Sequence, residues 1–155
     1  VTAPISLIIT AFARCEDIRQ SLTPQLDPNL DSSLILIDLG RGKNRLGSSI
    51  LAQTLSQMGD ATPDVDSAED LKNFWNAIQQ LGKEDKILAY HDRSDGGLFT
   101  AAVEMAFAGN VGVNLEVLSE GDPFAPLFSE ELGALIQVSG SDLADVFDIL
   151  KRHGL

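Results

Sequence analysis

Residues 89–98 read Ala-Tyr-His-Asp-Arg-Ser-Asp-Gly-Gly-Leu. An apolar run typical of a buried strand, residues 87–90, stops here at polar residues, turns at two adjacent glycines and continues as a helix. We place this helix at about residues 96–108, ending at Gly109. A strand, turn and helix in this order predict a sheet with helices packed on its faces.

Other apolar runs extend this pattern. Residues 5–9 and 34–37 are short, continuous and rich in β-branched side chains, as expected of central strands covered on both faces. Residues 111–117 and 134–138 are also typical of strands, the former alternating in places as a half-exposed strand does. The strand and helix segments alternate too irregularly for a plain βαβ series, so the sequence leaves the strand order open.

Three further segments predict helices. Ser67–Leu81 carries apolar residues at helical spacing and starts at a capping residue, Ser67. A second apolar stripe over 143–150 is followed by basic residues and by Gly154 as a C-terminal cap. The third helix spans about 48–58. We therefore predict one α/β (α+β) domain over residues 1–155, with a mixed β-sheet and helices on its faces.

Composition excludes several functional classes. The 155 residues carry 11 Lys plus Arg against 23 Asp plus Glu, a net charge of -12, and 44% are hydrophobic, which argues against a disordered chain. So negative a chain is not expected to bind nucleic acid or an anionic membrane. The apolar stretch 5–12 is far shorter than the roughly 20 residues that span a bilayer. A single cysteine, Cys15, fits a reducing, cytoplasmic location, and its acidic neighbours predict a structural role. Because Val1 is not an initiator methionine, we expect a piece of a longer protein.

The turn at residues 91–97 has the chemistry of a metal and nucleotide site. Two glycines allow close backbone approach, and the first amides of the following helix are predicted to be free donors for a phosphate. The carboxylates of Asp92 and Asp95 would repel an anion unless a cation lay between them. Mg²⁺ takes one or two carboxylates together with substrate phosphates, so Asp92 is predicted as a metal ligand and Ser94 as a phosphate contact.

Simpler interpretations of the same turn remain open. Asp92, Ser94 or Asp95 could merely cap the helix that begins near Gly96. His91 could be a general base or a ligand, although a lone histidine at a strand end is more often a hydrogen-bonded structural residue. Arg93 could contact phosphate or pair with a neighbouring carboxylate.

A second glycine-rich stretch, residues 38–49, also joins a strand to a helix and holds the basic cluster 41–45. It could bind phosphate, but it has neither the P-loop order nor dinucleotide-binding spacing. The alternative is a mobile surface loop with Ser48 or Ser49 as a helix cap. Glu130 and Glu131, before a predicted strand, are interpreted as solvated loop acids. Two histidines and one cysteine make a zinc site improbable.

Taken together, several motifs resemble the last aminoimidazole-ribonucleotide-synthase-like C-terminal domain of the large, single-chain phosphoribosylformylglycinamidine synthases. The resemblance covers the whole chain. Enzymes of this family convert formylglycinamide ribonucleotide, ATP and glutamine to formylglycinamidine ribonucleotide, ADP, phosphate and glutamate in purine biosynthesis. The motifs are residues 1–9, 22–26 (Leu-Thr-Pro-Gln-Leu), 42–47 (Gly-Lys-Asn-Arg-Leu-Gly), 63–66, 90–98 and 130–134.

The resemblance implies ATP or ADP and Mg²⁺ as cofactors, Asp92 as a magnesium ligand and Ser94 as a nucleotide contact. It also implies companion domains in the same parent chain, namely synthase N-terminal-type domains and a glutaminase domain. The chain departs from the family pattern at Gly47-Ser48-Ser49, where Gly-Gly-Ser is common. Because the companion domains carry the catalytic His, the nucleophilic Cys and most metal ligands, no activity is expected from these 155 residues alone.

Two rival interpretations remain. Selenophosphate synthetase, thiamine monophosphate kinase and a hydrogenase maturation protein bind ATP through related domains. A non-catalytic protein-interaction domain is the alternative from a different class. An apolar surface that normally meets a companion domain would also make self-association of the isolated chain plausible.

Overall fold

A computed structural model of the protein describes residues 8–15, 17–116 and 123–155. Its sheet has three strands in the order β1-β3-β2, and both pairings are antiparallel. Asp38 of β1 lies opposite Gly133, and Asp92 of β2 lies opposite Ala134, so the ends of both outer strands flank the start of β3. The strands are β1 (Ser32–Asp38), β2 (Ala89–Asp92) and β3 (Gly133–Ser139).

Helices surround this sheet and make the fold an α+β domain. The helices are α1 (Ile50–Thr54), α2 (Ala68–Lys83), α3 (Gly97–Gly109), α4 (Phe124–Phe128) and α5 (Leu143–Arg152), with short 3₁₀ turns at Ile18–Gln20 and Gly140–Asp142. None of the helices in the described part of the chain has the length and apolar character needed to cross a bilayer.

One face of the sheet is covered by α2 and α5. Because side chains alternate along a strand, Ile136 and Val138 of β3 point to this face. They pack with buried residues of both helices, which are Ala77, Ile78, Leu81, Val146, Ile149 and Leu150. This layer is the larger of the two hydrophobic cores.

The opposite face is covered by α3. Leu135 of β3 and Ala89 of β2 pack against Leu98, Ala101, Ala102 and Met105. Gln137 is also buried on β3. Its side-chain oxygen accepts from the Asp27 amide at 2.9 Å, and its side-chain nitrogen donates to the Asp27 carbonyl at 2.9 Å. These bonds compensate the cost of burying an amide group and hold the segment before β1 against the sheet.

Several expectations from the sequence are confirmed. Ser67 caps the start of helix α2, because its hydroxyl accepts from the Asp70 amide at 3.1 Å. Helix α5 ends in Lys151 and Arg152, and Gly154 follows with a positive φ of 77°. Predicted helix 96–108 corresponds to α3, and the runs 34–37 and 134–138 lie within β1 and β3. Strand β2 starts two residues later than the run 87–90.

Other expectations are wrong. The sheet is antiparallel among the described strands rather than mixed. Residues 111–116 form no strand, although Val111 and Val113 pack beside α3, and Val117 lies outside the described residues. In the predicted strand 5–9, only Ile8 and Ile9 are described, and they are irregular and 93% and 76% exposed. The predicted helix 48–58 shortens to α1 because the chain turns at Ser56, which has a φ of 56°.

Candidate functional site

Two glycine-rich stretches lie close together at one end of the sheet, where β1 and β2 both terminate. The stretch 38–49 follows β1, and the turn 92–97 follows β2. Because β3 runs antiparallel to both strands, its preceding segment 129–133 lies between these two exits. The candidate site is therefore assembled from three chain segments that are far apart in sequence.

Arg93 links the three segments. Its side chain is buried and donates to the carboxylate of Asp38 at 2.5 Å, while it also donates to the carbonyl oxygens of Glu131 and Leu132 at 2.5 and 2.9 Å. Of the two interpretations of Arg93, carboxylate pairing is confirmed. The guanidinium is used inside the protein and is not presented to a phosphate.

Asp38 organises the start of the first glycine-rich stretch. Its carboxylate accepts from the amides of Gly40 and Gly42 at 3.1 and 2.7 Å. Burial alone would raise the pKa of Asp38, but the hydrogen bond from Arg93 and those two amides outweigh burial and lower the pKa below its usual value. Asp38 is therefore a structural anion at neutral pH.

Glu131 is a second anion of this network, and unlike Asp38 it is fully buried. Only 1% of the residue is exposed, and its carboxylate forms a bidentate pair with Arg45, at 2.7 Å for both contacts. The hydrogen bonds from the Arg45 side chain lower the pKa of Glu131, and the same pairing raises the pKa of Arg45. The expectation of a solvated loop acid at Glu131 is wrong, because the fold brings an arginine 86 residues away onto it.

The basic cluster of the first stretch is paired with acids. Arg41 contacts Asp70 at 2.8 Å, and Lys43 contacts Asp66 at 3.0 Å. Ser49, not Ser48, caps α1 by accepting from the Ala52 amide at 3.2 Å. The loop with a serine cap is therefore the better interpretation of this stretch, and its cations are engaged by carboxylates near the start of α2.

Glu130 binds two backbone amides, one at the turn after β2 and one at the start of α1. Its Oε1 accepts from Gly96 at 2.9 Å and from Ile50, the first residue of α1, at 2.8 Å. The Gly97 amide donates to the Ser94 carbonyl at 2.9 Å. The prediction of free amides at Gly96 and Gly97 is therefore wrong, as is the expectation that Glu130 is merely solvated.

Gly97 is required by close packing within this turn. Its φ is 68°, and a Cβ atom there would lie 2.6 Å from the Ser129 carbonyl oxygen. A left-handed backbone and contact with another chain segment both disfavour a side chain. This contact sets the distance between the turn and the segment that carries Glu130.

Asp92 and Ser94 face solvent at the rim of this assembly. Both are exposed, and one Asp92 oxygen accepts from the Tyr90 hydroxyl at 2.5 Å. Burial raises the pKa of Tyr90, and the hydrogen bond to Asp92 raises it further. The N-cap of α3 is Gly96, so the alternative in which Asp92, Ser94 or Asp95 caps that helix is wrong.

The geometry around Asp92 fits one ligand of a metal site but not a complete one. No group of three or more His, Cys, Asp or Glu suited to a metal occurs among the described residues. The exposed carboxylate of Asp92 has the hard oxygen atoms that Mg²⁺ prefers, and this ion commonly completes its octahedron with water and phosphate oxygens. Asp92 can therefore contribute to a metal held jointly with a phosphate.

His91 has a structural position. Its Nδ1 lies 2.6 Å from the Asp92 carbonyl oxygen, and its Nε2 lies 2.7 Å from a Glu104 carboxylate oxygen on α3. Both ring nitrogens are thus engaged within the protein, as the hydrogen-bonded structural interpretation predicts. Cys15, by contrast, is exposed and does not pack in either core.

A groove of about 790 Å³ opens beside the network. It runs along the α3-facing side of β1, between Leu34 and residues 111–116, and reaches Asp38, Gly42 and Arg93. Asp92 and Ser94 do not line it. The predicted site residues Asp92 and Ser94 therefore lie outside this groove.

Sequence reasoning identified the turn but missed the residues that support it. Asp38, Glu130 and Glu131 are the anions of the network, and only their positions next to strand ends signalled a role. Antiparallel pairing places those strand ends together, and that pairing was not predicted.

Solved structures with a similar fold include two from Thermotoga maritima. The structure of PurLQS has 14% sequence identity and a TM-score of 0.61, and PurL complexed with ATP has 16% identity and a TM-score of 0.58. Each match covers 88% of this chain but 22% of the other, so the chain spans about a fifth of those proteins. A sequence profile described as "AIR synthase related protein, C-terminal domain" matches residues 32–155. The chain therefore belongs to the AIR synthase related protein family and contains its C-terminal domain.

Proposed function

We propose that the chain is an ATP- and magnesium-binding domain of a phosphoribosylformylglycinamidine synthase, an ATP-dependent ligase of purine biosynthesis that acts in the cytoplasm. The observation that carries this proposal is the turn 92–97, which presents Asp92 and Ser94 to solvent from a rigid base. The base consists of Arg93 bound to Asp38 and of Glu130 bound to the Gly96 amide. The Thermotoga maritima PurL structure, whose title names ATP, supports the choice of nucleotide.

In this proposal the two exposed side chains have separate roles. Asp92 donates one carboxylate oxygen to Mg²⁺, and Ser94 donates its hydroxyl proton to a phosphate oxygen of the nucleotide. The cation removes the repulsion between the carboxylate and the phosphates, which the acidic surroundings would otherwise impose. The half-buried Asp38 and the buried Glu131 do not bind the ligand, because both are already paired with arginines.

Companion domains complete the site in the same proposal. One carboxylate holds Mg²⁺ weakly, so further ligands must come from elsewhere in the parent enzyme, whose glutaminase domain supplies ammonia. An exposed apolar stripe on α3, formed by Phe99, Val103 and Phe107 at helical spacing, is a suitable surface for such a domain. This stripe is also the observation that favours the alternative function, a non-catalytic interaction domain.

The test is titration of the ¹⁵N-labelled chain with Mg²⁺ and ATP, followed by heteronuclear NMR. We expect weak, saturable shifts at residues 92–97 that require both Mg²⁺ and ATP and that disappear in Asp92→Asn. Asp148→Asn removes an exposed carboxylate on α5 and serves as the matched control, which should bind like the native chain.

Three results would contradict the proposal. Shifts that persist in Asp92→Asn would remove this residue from the metal site. Absence of any shift, both in the isolated chain and in the assembled parent enzyme, would favour the interaction domain. Binding without ligase activity in the parent enzyme would point to another ATP-binding member of the superfamily.

A further inference from the structure

Glu130 joins the two glycine-rich stretches through one oxygen atom. Its Oε1 receives the Gly96 amide at 2.9 Å and the Ile50 amide at 2.8 Å. We propose that Glu130 is a positioning residue that couples the turn carrying Asp92 and Ser94 to the start of α1. Its significance for nucleotide binding rests on the function proposed above, whereas the coupling itself is a property of the chain alone.

The two hydrogen bonds are of the stronger kind. A carboxylate accepting from backbone amides forms charge-assisted bonds, and the positive end of α3 adds a favourable interaction with a negative charge. Gly96 is buried, so its amide has little access to water as a replacement. Loss of the carboxylate would therefore leave a buried donor without its partner.

Glu130 stands on a fixed section of backbone. The next residue, Glu131, is buried and held by Arg45 in a bidentate pair, and the carbonyls of Glu131 and Leu132 accept from Arg93. Because Arg45 lies outside the turn, its pair with Glu131 holds this backbone against a movement of Gly96. A displacement of Gly96 is therefore transmitted through the Glu130 side chain to Ile50.

A second set of hydrogen bonds, through Arg93 and Asp38, links the turn to the beginning of the glycine-rich stretch 38–49. Arg93 binds Asp38, which in turn accepts from the amides of Gly40 and Gly42. The two connections thus reach different residues, Gly40 and Gly42 through Asp38, and Ile50 through Glu130. This separation provides an internal control, because loss of Glu130 should affect only one of them.

The position of Glu130 also restricts how an anion can bind. Its carboxylate already occupies the Gly96 amide, so a phosphate cannot use that donor while the native contact is present. A phosphate bound at this turn would instead meet the exposed Ser94 hydroxyl, on the side that carries Asp92. Glu130 therefore directs the ligand outward, toward the rim of the site.

The first experiment measures amide hydrogen exchange and ¹H–¹⁵N shifts in the full chain without ligand. Glu130→Ala should accelerate exchange at Gly96 and Ile50 roughly tenfold or more and move both amide protons upfield. Glu130→Gln retains an acceptor oxygen and should restore most of the protection. Asp148→Ala, on α5, is the control and should leave both amides unchanged.

The second experiment tests coupling by introducing Asp92→Asn into the native chain and into Glu130→Ala. In the native background this change should alter the ¹H–¹⁵N chemical shifts of the Gly40, Gly42 and Ile50 amides. In the Glu130→Ala background the shift at Ile50 should vanish, while those at Gly40 and Gly42 persist. If Glu130→Ala does not fold, Glu130→Ser is used, because its side chain is too short to reach both amides, and loss of the Ile50 shift is again the expected result.

The outcomes separate this inference from the proposed function. Unchanged exchange at Gly96 and Ile50 in Glu130→Ala, or a full Ile50 response to Asp92→Asn without Glu130, overturns the coupling. Neither readout requires ATP, so failure to bind nucleotide would refute the proposed function and leave the coupling standing. In the native chain, Mg²⁺ with ATP should also shift Ile50, and this shift should be lost in Glu130→Ala.

Discussion

The guanidinium of Arg93 donates to the carboxylate of Asp38 at 2.5 Å, joining the ends of two strands that are separated by 55 residues in sequence. β3 lies between those strands, and Arg93 also binds the backbone that leads into it. The pair fixes the base from which the turn 92–97 projects. The consequences of this arrangement for stability can be measured directly.

Replacement of Arg93 by Ala should destabilise the chain by about 3 kcal/mol or more, because it removes the buried cation that neutralises Asp38 and one donor to each of two carbonyl oxygens. Urea denaturation followed by circular dichroism measures the change. Arg19→Ala is the control: the Arg19 side chain is 86% exposed in its pair with Asp17, so its loss should leave the free energy of unfolding essentially unchanged. Equal effects of the two variants would refute a special role for the buried arginine.

Acid should weaken the same network. The pKa values of Asp38 and Glu131 are lowered in the folded protein, so both residues bind protons more readily in the unfolded chain. Their contribution to stability is present above the unfolded values of about 4 and is lost as pH falls through the folded values. The free energy of unfolding, measured from pH 7 to 3, should fall steeply below about pH 4. A combined Asp38→Asn and Glu131→Gln variant should be less stable at pH 7 and show a flatter decline.

The single tyrosine gives a specific optical probe of the turn. Burial and the hydrogen bond to Asp92 raise the pKa of Tyr90 above its usual value of about 10. Ionisation of the phenol, measured by absorbance at 295 nm, should therefore require a distinctly higher pH. This preference for the protonated form makes stability decrease as pH rises above about 10. Asp92→Asn should lower the pKa of Tyr90 part of the way, because burial remains. Ionisation at the usual pH in the native chain would contradict the Tyr90–Asp92 bond.

Two glycines should respond to alanine in opposite ways. Gly97→Ala places a Cβ atom 2.6 Å from the Ser129 carbonyl oxygen at a positive φ, and should cost about 2 kcal/mol or more. Gly82→Ala, in α2, meets nothing within 4 Å and should stabilise the chain by about 0.5–1 kcal/mol. Thermal unfolding of the two variants distinguishes the predicted signs.

The apolar stripe on α3 should govern association without affecting the fold. Phe107 is 87% exposed, so Phe107→Glu should change the free energy of unfolding by only about 0.5 kcal/mol. It should reduce any self-association of the chain, or binding to separately produced companion domains, as measured by sedimentation velocity. Trp75→Glu alters an exposed aromatic on α2 and should leave both associations intact. Equal losses in the two variants would argue against a defined surface on α3.

Local patterns in the sequence were sufficient to predict much of the secondary structure. Helix α2 is determined by apolar spacing and by Ser67, which bonds to an amide three residues away. The helix after Gly96 and the runs in β1 and β3 were recognisable for similar reasons. Residues 111–116 show the limit of this approach, because an apolar segment can pack against α3 without forming a strand.

The sequence by itself therefore determined that the chain is an acidic α+β domain and that a turn carrying Asp92 and Ser94 joins a strand to a helix. Only the tertiary structure decided that Arg93 is a buried cation paired with Asp38 and that Glu131 is a buried anion. It also decided that Glu130 accepts hydrogen bonds from the amides of Gly96 and Ile50. The physical reason is that helix spacing and capping act over three or four residues. The charges, by contrast, find their partners through the antiparallel register of β1, β3 and β2, which joins residues 34 to 86 positions apart.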